Sequence, residues 1–369
     1  MAYPETYATM QVLIQDKLED SGASVFSTGK LDKGMAEGLR QLSQFHPYVY
    51  RCEFNLESRT GTATSTLANS LVDATNAQFL STDVGKWIYN ETDRTWAVVT
   101  AFVAGGTTLT LSKSIMASGE SYRMFNKECT DSKEININAN QGPDGALGSR
   151  AFDWIYIDKI EYPILQDPPS YLTPGQWELQ ENHIIRLKIS DEPPNTKDSD
   201  APDEVWVYFA LQHQLSRLTG FLGKIDLIAG YAAGLTSIHV DDMTASEIIY
   251  KGQMFQIDGV RGIYIANYQM TLTGGESDVT FYPPLMDATV DDNTVRFISN
   301  TLDSKLEGIY ADLVAGKMAM SKARVYINSI GPGPNRYRYT YEWGKLHYDQ
   351  AIRELEGLRG FVAPSICLP

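Results

Sequence analysis

Apolar residues recur every third or fourth position at both ends of this chain and every second position through most of its middle. Such a sequence must build helices at its termini and strands between them. Near the start, Tyr7, Met10, Leu13, Ile14 and Leu18 form one stripe, which predicts a helix over 4–19 with Pro4 in its first turn. After Ser21-Gly22, Ser27 and Thr28 offer caps for a second helix with Leu31, Met35, Leu39, Leu42 and Phe45 on its apolar face, ending at His46-Pro47. At the far end Thr301 offers a cap for a helix carrying Leu302, Leu306, Ile309, Leu313 and Met320, weakened in its middle by Gly316. The run Gly331-Pro332-Gly333-Pro334-Asn335 enforces a turn. A last helix over 337–359 then turns Tyr341, Tyr348, Ile352, Leu355 and Leu358 inward, and the tail GFVAPSICLP is extended.

Between the helical ends the period is two. In YVYRCEFNL, Tyr48, Tyr50, Cys52, Phe54 and Leu56 share one face. Three later strands have the same pattern: Trp154, Tyr156, Ile160 and Tyr162; Ile185, Leu187 and Ile189; and Val205, Val207, Phe209 and Leu211. The acidic, proline-bearing stretch 191–204 is a solvated loop between the last two. These four strands are expected to form one sheet from discontinuous pieces.

Two β-rich segments interrupt that sheet and resemble each other. Matching landmarks stay at nearly constant separation, with Val72 and Val240 168 apart, Gly85 and Gly252 167, Gly105 and Gly274 169, and Met124 and Phe297 173. Each copy offers about five short strands and Gly-Gly or Asp-Gly turns, which suits a small antiparallel barrel or sandwich. The expected fold is therefore α+β. A helical and sheet core of 1–58, 128–225 and 299–369 carries two inserted modules, 59–127 and 226–298.

Composition excludes several functions. With 31 Lys and Arg against 46 Asp and Glu the net charge is −15, so tight nonspecific DNA binding is disfavoured. Cys52, Cys129 and Cys367 are too few and scattered for a disulfide framework or zinc site. The first residues lack the pattern of a signal peptide, and no apolar run is long enough to span a membrane. Nucleophile-elbow, phosphate-loop and zinc-protease motifs are absent. GPDGALGS at 142–149 lacks the strand and helix of a dinucleotide site. His46, His183, His213, His239 and His347 are dispersed, and Asp241-Asp242 and Asp291-Asp292 read as solvated turn aspartates rather than a calcium loop. No catalytic constellation, cofactor site or metal site emerges from these residues, and that the protein is not an enzyme is what the family resemblance below implies. The one place where cations and aromatics interleave is Arg336, Tyr337, Arg338, Tyr339, Tyr341 and Trp343, a composition suited to nucleic acid or to a protein interface, the acidic remainder of the chain favouring the interface.

The opening QVLIQDKLEDSGASVFSTGKLDKGMAEGLRQLSQFHP, the strand region DEVWVYFALQHQLSRL and the closing helices NTLDSKLEGIYADLVAGKMAM and YEWGKLHYDQAIRELEGLRG together resemble the head-tail connector (adaptor) proteins of tailed bacteriophages. They cover about half the chain, and the β-modules depart from the smaller members of that family. The resemblance implies a structural virion protein of the neck, made in the host cytoplasm. It forms a homo-oligomeric ring, usually twelve-fold, between the portal and the tail or its terminator protein, with fibres as further partners. DNA passes through without tight binding, and an acidic channel favours that transit by repelling phosphates. Tyr337, Tyr339, Tyr341 and Trp343 are then subunit-interface or portal-docking candidates, and Phe361, Val362, Ile366 and Leu368 in the tail are portal-docking candidates. The rival readings are a baseplate or fibre-attachment protein, and an enzyme using loop carboxylates.

Overall fold

The computed structural model describes residues 6–20, 25–137, 154–181, 183–190, 193, 204–327 and 334–359. It is a mixed α+β protein with four helices and several antiparallel sheets, one of them a closed six-stranded barrel. The chain divides into two compact units. The first comprises Met1–Tyr50, Phe152–Tyr156 and Phe209–Pro369, and the second Arg51–Ala151 and Ile157–Tyr208.

In the first unit, helices α1 (Tyr7–Lys17), α2 (Thr28–Phe45), α3 (Ser304–Ile327) and α4 (Pro334–Arg359) contribute to one core. The predicted stripes are the buried ones: Met10 and Ile14 from α1, Leu31, Met35, Leu39 and Leu42 from α2, Leu306, Ile309 and Leu313 from α3, and Leu355 from α4. Thr6 caps α1 by accepting from the Thr9 N–H at 3.2 Å. The buried Asp20 carboxylate accepts from the N–H groups of Val25 (3.0 Å) and Phe26 (2.7 Å), which ties down the approach to α2. Ser27 precedes α2 without a side-chain capping bond. Nor is Thr301 the cap of α3. Asp303 takes that role, accepting from Lys305 and Leu306 N–H at 2.9 and 2.8 Å, because Thr301 Oγ1 is already engaged by the Gln214 N–H at 2.8 Å.

Gly316 does not weaken α3. A Cβ built there would lie 2.6 Å from Gly344 O and 2.7 Å from Tyr348 N, and one at Gly344 would lie 2.7 Å from Gly316 O. The two glycines let α3 and α4 cross with their backbones in contact.

The same unit holds the barrel, built from β13 (Leu222–Ile225), β14 (Ser237–Asp241), β16 (Met254–Ile257), β17 (Tyr264–Ala266), β19 (Ser277–Tyr282) and β20 (Thr294–Phe297) in the order β13-β14-β19-β17-β16-β20. Its interior is Phe255, Tyr264, Val279, Phe281, Val295 and their neighbours, with the Phe255 and Phe281 rings edge to face at 5.4 Å. A two-residue pair, β15 (Ile248–Ile249) and β18 (Met270–Thr271), flanks it.

The second unit contains a six-stranded sheet of β2 (Thr60–Thr62), β3 (Ser70–Val72), β4 (Trp87–Asn90), β5 (Thr95–Val103), β6 (Thr108–Leu111) and β7 (Ser121–Phe125) in the order β2-β7-β4-β5-β6-β3, packed around Leu71, Ile88, Leu109, Tyr122 and Met124. A single bridge from Ser65 to Val72 links its ends. Counted from its own first strand, this order is identical to that of the barrel read in the opposite sense. The hydrogen bonds match as well. Gly85 donates to Val99 O and Val99 to Lys86 O, at 2.8 and 2.9 Å; 167 residues on, Gly252 donates to Ala266 O and Ala266 to Gln253 O, again at 2.8 and 2.9 Å. Arg123 pairs with Glu91 at 3.1 Å and Arg296 with Asp258 at 2.7 Å. The landmark Val72–Val240 is out of step, since Val72 is half-buried and Val240 fully buried. The inward pair Leu71–Leu109 corresponds instead to Ile238–Val279.

The four-strand sheet divides differently from expectation. β1 (Tyr48–Asn55), β12 (Glu204–Leu211) and β9 (Trp154–Glu161) form a three-stranded sheet in the order β1-β12-β9, and the division between the units falls inside each of these strands. The fourth, β11 (Ile184–Leu187), pairs instead with β8 (Glu134–Asn136) and β10 (Trp177–Gln180), two short strands with no alternating run long enough to announce them. In β9 the inward positions advance by three, from Trp154 to Ile157 to Ile160, which leaves Tyr156 exposed.

Candidate functional site

The interface candidates lie on α4 where it pairs with the C-terminal half of α3. Among the described side chains, none of α3 beyond Met318 and none of α4 before Trp343 belongs to the core shared with α1 and α2. Trp343 is the exception among the candidates, packing against that core and against His347 with ring centroids 4.3 Å apart. Tyr337 and Tyr341, four residues apart on one helix face, stack at 5.9 Å. Tyr339 faces outward at 70% exposure, and Leu346 at 60%. Phe361, Val362, Ile366 and Leu368 lie outside the described residues, as do the glycine-rich 142–149 and most of 191–204.

A second assembly of polar groups joins residues that the sequence keeps far apart. His46, at the end of α2, and His213, just past β12, stack at 6.3 Å beside Tyr48. His213 is 4% exposed; its Nδ1 sits 3.1 Å from Thr301 O and Oγ1, and its N–H donates to Ser43 Oγ at 2.9 Å. It lines a pocket of about 270 Å³ together with Gln212, Gln214, Lys251 and Met254. Burial, with the nearby His46 adding to it, pushes the His213 imidazole down from 6.5 to about 4. The folded protein thus binds this proton less readily than the unfolded chain. The stability it contributes is complete above pH 6.5 and is lost as pH falls from 6.5 towards 4. The expected loss is about 3 kcal/mol. Urea unfolding across that range checks it, and His213→Gln is expected to flatten the slope.

The second unit holds a buried ion cluster. Arg59 (2% exposed) donates from Nε and Nη2 to the two Glu57 oxygens at 2.9 and 2.7 Å, from Nη1 to Gln78 O at 2.6 Å, and also to Asp83. Lys86 pairs with Asp83 at 3.0 Å and with Glu57. Burial alone would raise the Glu57 carboxyl; the Lys86 ammonium and Arg59 guanidinium override it and hold that group well below the carboxylate range. Every charge in this cluster is matched, which makes it a clasp of the module's fold.

One side of the barrel is acidic. Asp242 and Asp292 reach Lys224 of β13 at 3.0 and 3.5 Å, Asp241 lies opposite Lys224 on β14, and Asp226 and Asp291 lie beyond the end of β13, where the Asp291 carboxylate accepts from the Leu227 N–H at 3.2 Å. Asp242 and Asp292 have φ of 58° and 60°, the turn geometry expected of them. Beside Asp226 and Asp291 stand Leu227, Ile228 (91% exposed) and Val290 (63%), an apolar group that belongs to no periodic run of the sequence. Among the described residues no group of three or more His, Cys, Asp or Glu is placed to hold a metal ion, and no helix is long and apolar enough to cross a membrane. No protein-family model, curated protein or solved structure matches the chain.

Proposed function

We propose that this chain is a structural virion protein, a head-tail connector that assembles into a ring between portal and tail and lets DNA pass through an acidic bore. The observation that carries the reading is the α3–α4 hairpin. Its far end contributes no described side chain to the core it shares with α1 and α2, and it presents Tyr339 and Leu346 to solvent where a monomer gains nothing from them. Long amphipathic helices that are incompletely covered within one chain suit an obligate oligomer, whose copies complete each other's burial. In this reading 1–58, 128–225 and 299–369 are the connector core. The segments 59–127 and 226–298, the second together with β13 (Leu222–Ile225) just before it, are two copies of one inserted module, supported by their common strand order and hydrogen bonds.

Electron microscopy of the purified protein, alone and mixed with a portal, tests the proposal. Rings with an axial hole are expected, twelve-fold if the resemblance extends to subunit number. Three- or six-fold particles would move the assignment to a baseplate or fibre-attachment protein, and particles that never form rings would end it. Removal of residues 361–369 is expected to abolish attachment to the portal while leaving the subunit folded.

A further inference from the structure

We infer that the ring is closed by two complementary patches of one chain, with the basic, aromatic tip of the α3–α4 hairpin of one copy seated on the acid-rimmed apolar end of the barrel of the next. This rests on the ring reading above and names the surfaces that make it. The tip is an electrostatic exception. Residues 318–327 and 334–345 carry Lys322, Arg324, Arg336, Arg338 and Lys345 against Glu342 alone, in a chain of net charge −15, while Lys317 just before them pairs with Glu37 of α2 at 3.0 Å. Its apolar component is aromatic: exposed Tyr339 and the stacked Tyr337 and Tyr341.

The barrel end has the opposite sign and a matching build. Gly230 lies against the backbone of Thr289 and Val290, and the Leu227 N–H donates to Asp291 at 3.2 Å, so Leu227, Ile228 and Val290 stand together. Asp226 and Asp291 stand beside them, and Asp241, Asp242 and Asp292 lie around Lys224 on the adjoining wall. Burial, with Asp242 and Asp226 nearby, raises the Asp241 carboxyl, as expected where negative charge exceeds its local compensation. Asp241 Oδ1 is buried with no hydrogen-bond partner among the described residues.

Each patch therefore has an apolar centre and a charged rim, the usual anatomy of a protein interface, and the rims attract. Tyrosine and arginine, the residues enriched at interface hot spots, lie on the tip. Because the two patches differ, the contact is head-to-tail and propagates from copy to copy; such a contact closes into a ring when its rotation divides a full turn. A helical hairpin with surplus positive charge also suits phosphate. The apolar centre of the barrel end and its complementary rim favour a second copy, and DNA is an outcome of the test.

The test reverses each rim in the full-length chain. Arg324→Glu with Arg338→Glu reverses the tip, and Asp226→Lys with Asp291→Lys reverses the barrel end. All four positions are exposed, and both aspartates chosen lie outside the left-handed backbone region. Sedimentation velocity at low and high salt, with and without portal, reads assembly, and circular dichroism checks folding. Each reversed chain is expected to self-associate at least tenfold more weakly than the wild type. An equal mixture of the two is expected to assemble again, because every contact then joins opposite signs. Ile228→Ser is expected to weaken assembly with no change of charge. Rings that form normally from either reversed chain would overturn the inference and leave the ring reading standing, as would a mixture that stays apart. Tip reversal that abolishes binding to duplex DNA while assembly persists would assign the tip to DNA instead. Wild-type protein that forms no ring with or without portal would remove the underlying reading.

Discussion

Gly316→Ala is expected to destabilise the helical unit by about 2 to 3 kcal/mol, although alanine is the better helix former by about 1 kcal/mol. The new methyl group would meet Gly344 O at 2.6 Å and the Tyr348 backbone at 2.7 Å, atoms that cannot swing aside as a side chain can. Relief requires α3 and α4 to separate, which opens the packing around Leu313, Val314, Ala351 and Leu355. Gly344→Ala meets the reciprocal obstacle and is expected to cost a similar amount. The internal control is Gly308, two turns earlier on α3, where a built Cβ meets nothing within 4 Å. Gly308→Ala is therefore expected to stabilise by about 0.5 to 1 kcal/mol. Urea unfolding followed by helical circular dichroism measures both. Equal signs for Gly308 and Gly316 would show that α3 and α4 do not cross at these glycines.

That glycine marks the boundary of what the sequence makes legible. Hydrophobic period locates α2 to within a residue or two and identifies the inward positions of β1 and β12, because burial on one face leaves a periodic trace. It leaves no trace of a glycine's partner, so Gly316 looks like a weak point along its own helix and is a contact point between two. The barrel and its counterpart were visible as a repeat because Gly85 and Gly252, at φ of 93° and 90°, hold one turn that few other residues accept. Gly61 and Gly223 mark a second shared position that no turn motif announces. A Cβ on the first would meet Asp73 and Tyr122, and on the second Val240 and Met243, contacts that exist only across strands. The cation and aromatic pattern singles out Tyr337, Tyr339 and Tyr341 on α4, but it does not show that Trp343 packs against the core. The acidic barrel end was legible as pairs of aspartates and not as a single patch, since 226, 241–242 and 291–292 meet only when the barrel closes.

Asp83→Ala is expected to cost about 3 to 5 kcal/mol, the usual penalty for removing one partner from a buried ion cluster. It takes one of two carboxylates from Arg59 and Lys86, and it removes the acceptor of the Leu80 N–H at 2.7 Å. The penalty belongs to the charge left behind rather than to the worth of the pair, and the second barrel supplies the comparison. At the positions equivalent to Arg59, Asp83 and Lys86, set by the matching bonds Met124 N–H to Arg59 O and Phe297 N–H to Phe221 O, and Lys86 N–H to Asp83 O and Gln253 N–H to Tyr250 O, stand Phe221, Tyr250 and Gln253. Glu57 has its counterpart in Thr219 by the same spacing as Arg59 and Phe221. The same strand order thus carries uncharged residues at these positions, Gln253 buried and Thr219 and Tyr250 exposed. Transplanting all four, as Glu57→Thr, Arg59→Phe, Asp83→Tyr and Lys86→Gln, is expected to cost far less than Asp83→Ala alone, because no charge remains buried unmatched. Acid separates the two cases further. Glu57 is held below its ordinary range in the fold, so its contribution is complete above pH 4.5 and is lost as pH falls below it, whereas the transplanted module has no such loss. Urea unfolding of the wild type, the single variant and the quadruple variant above and below that pH measures both effects. A quadruple variant as unstable as Asp83→Ala would mean that the two modules share an order of strands without sharing a way of packing them.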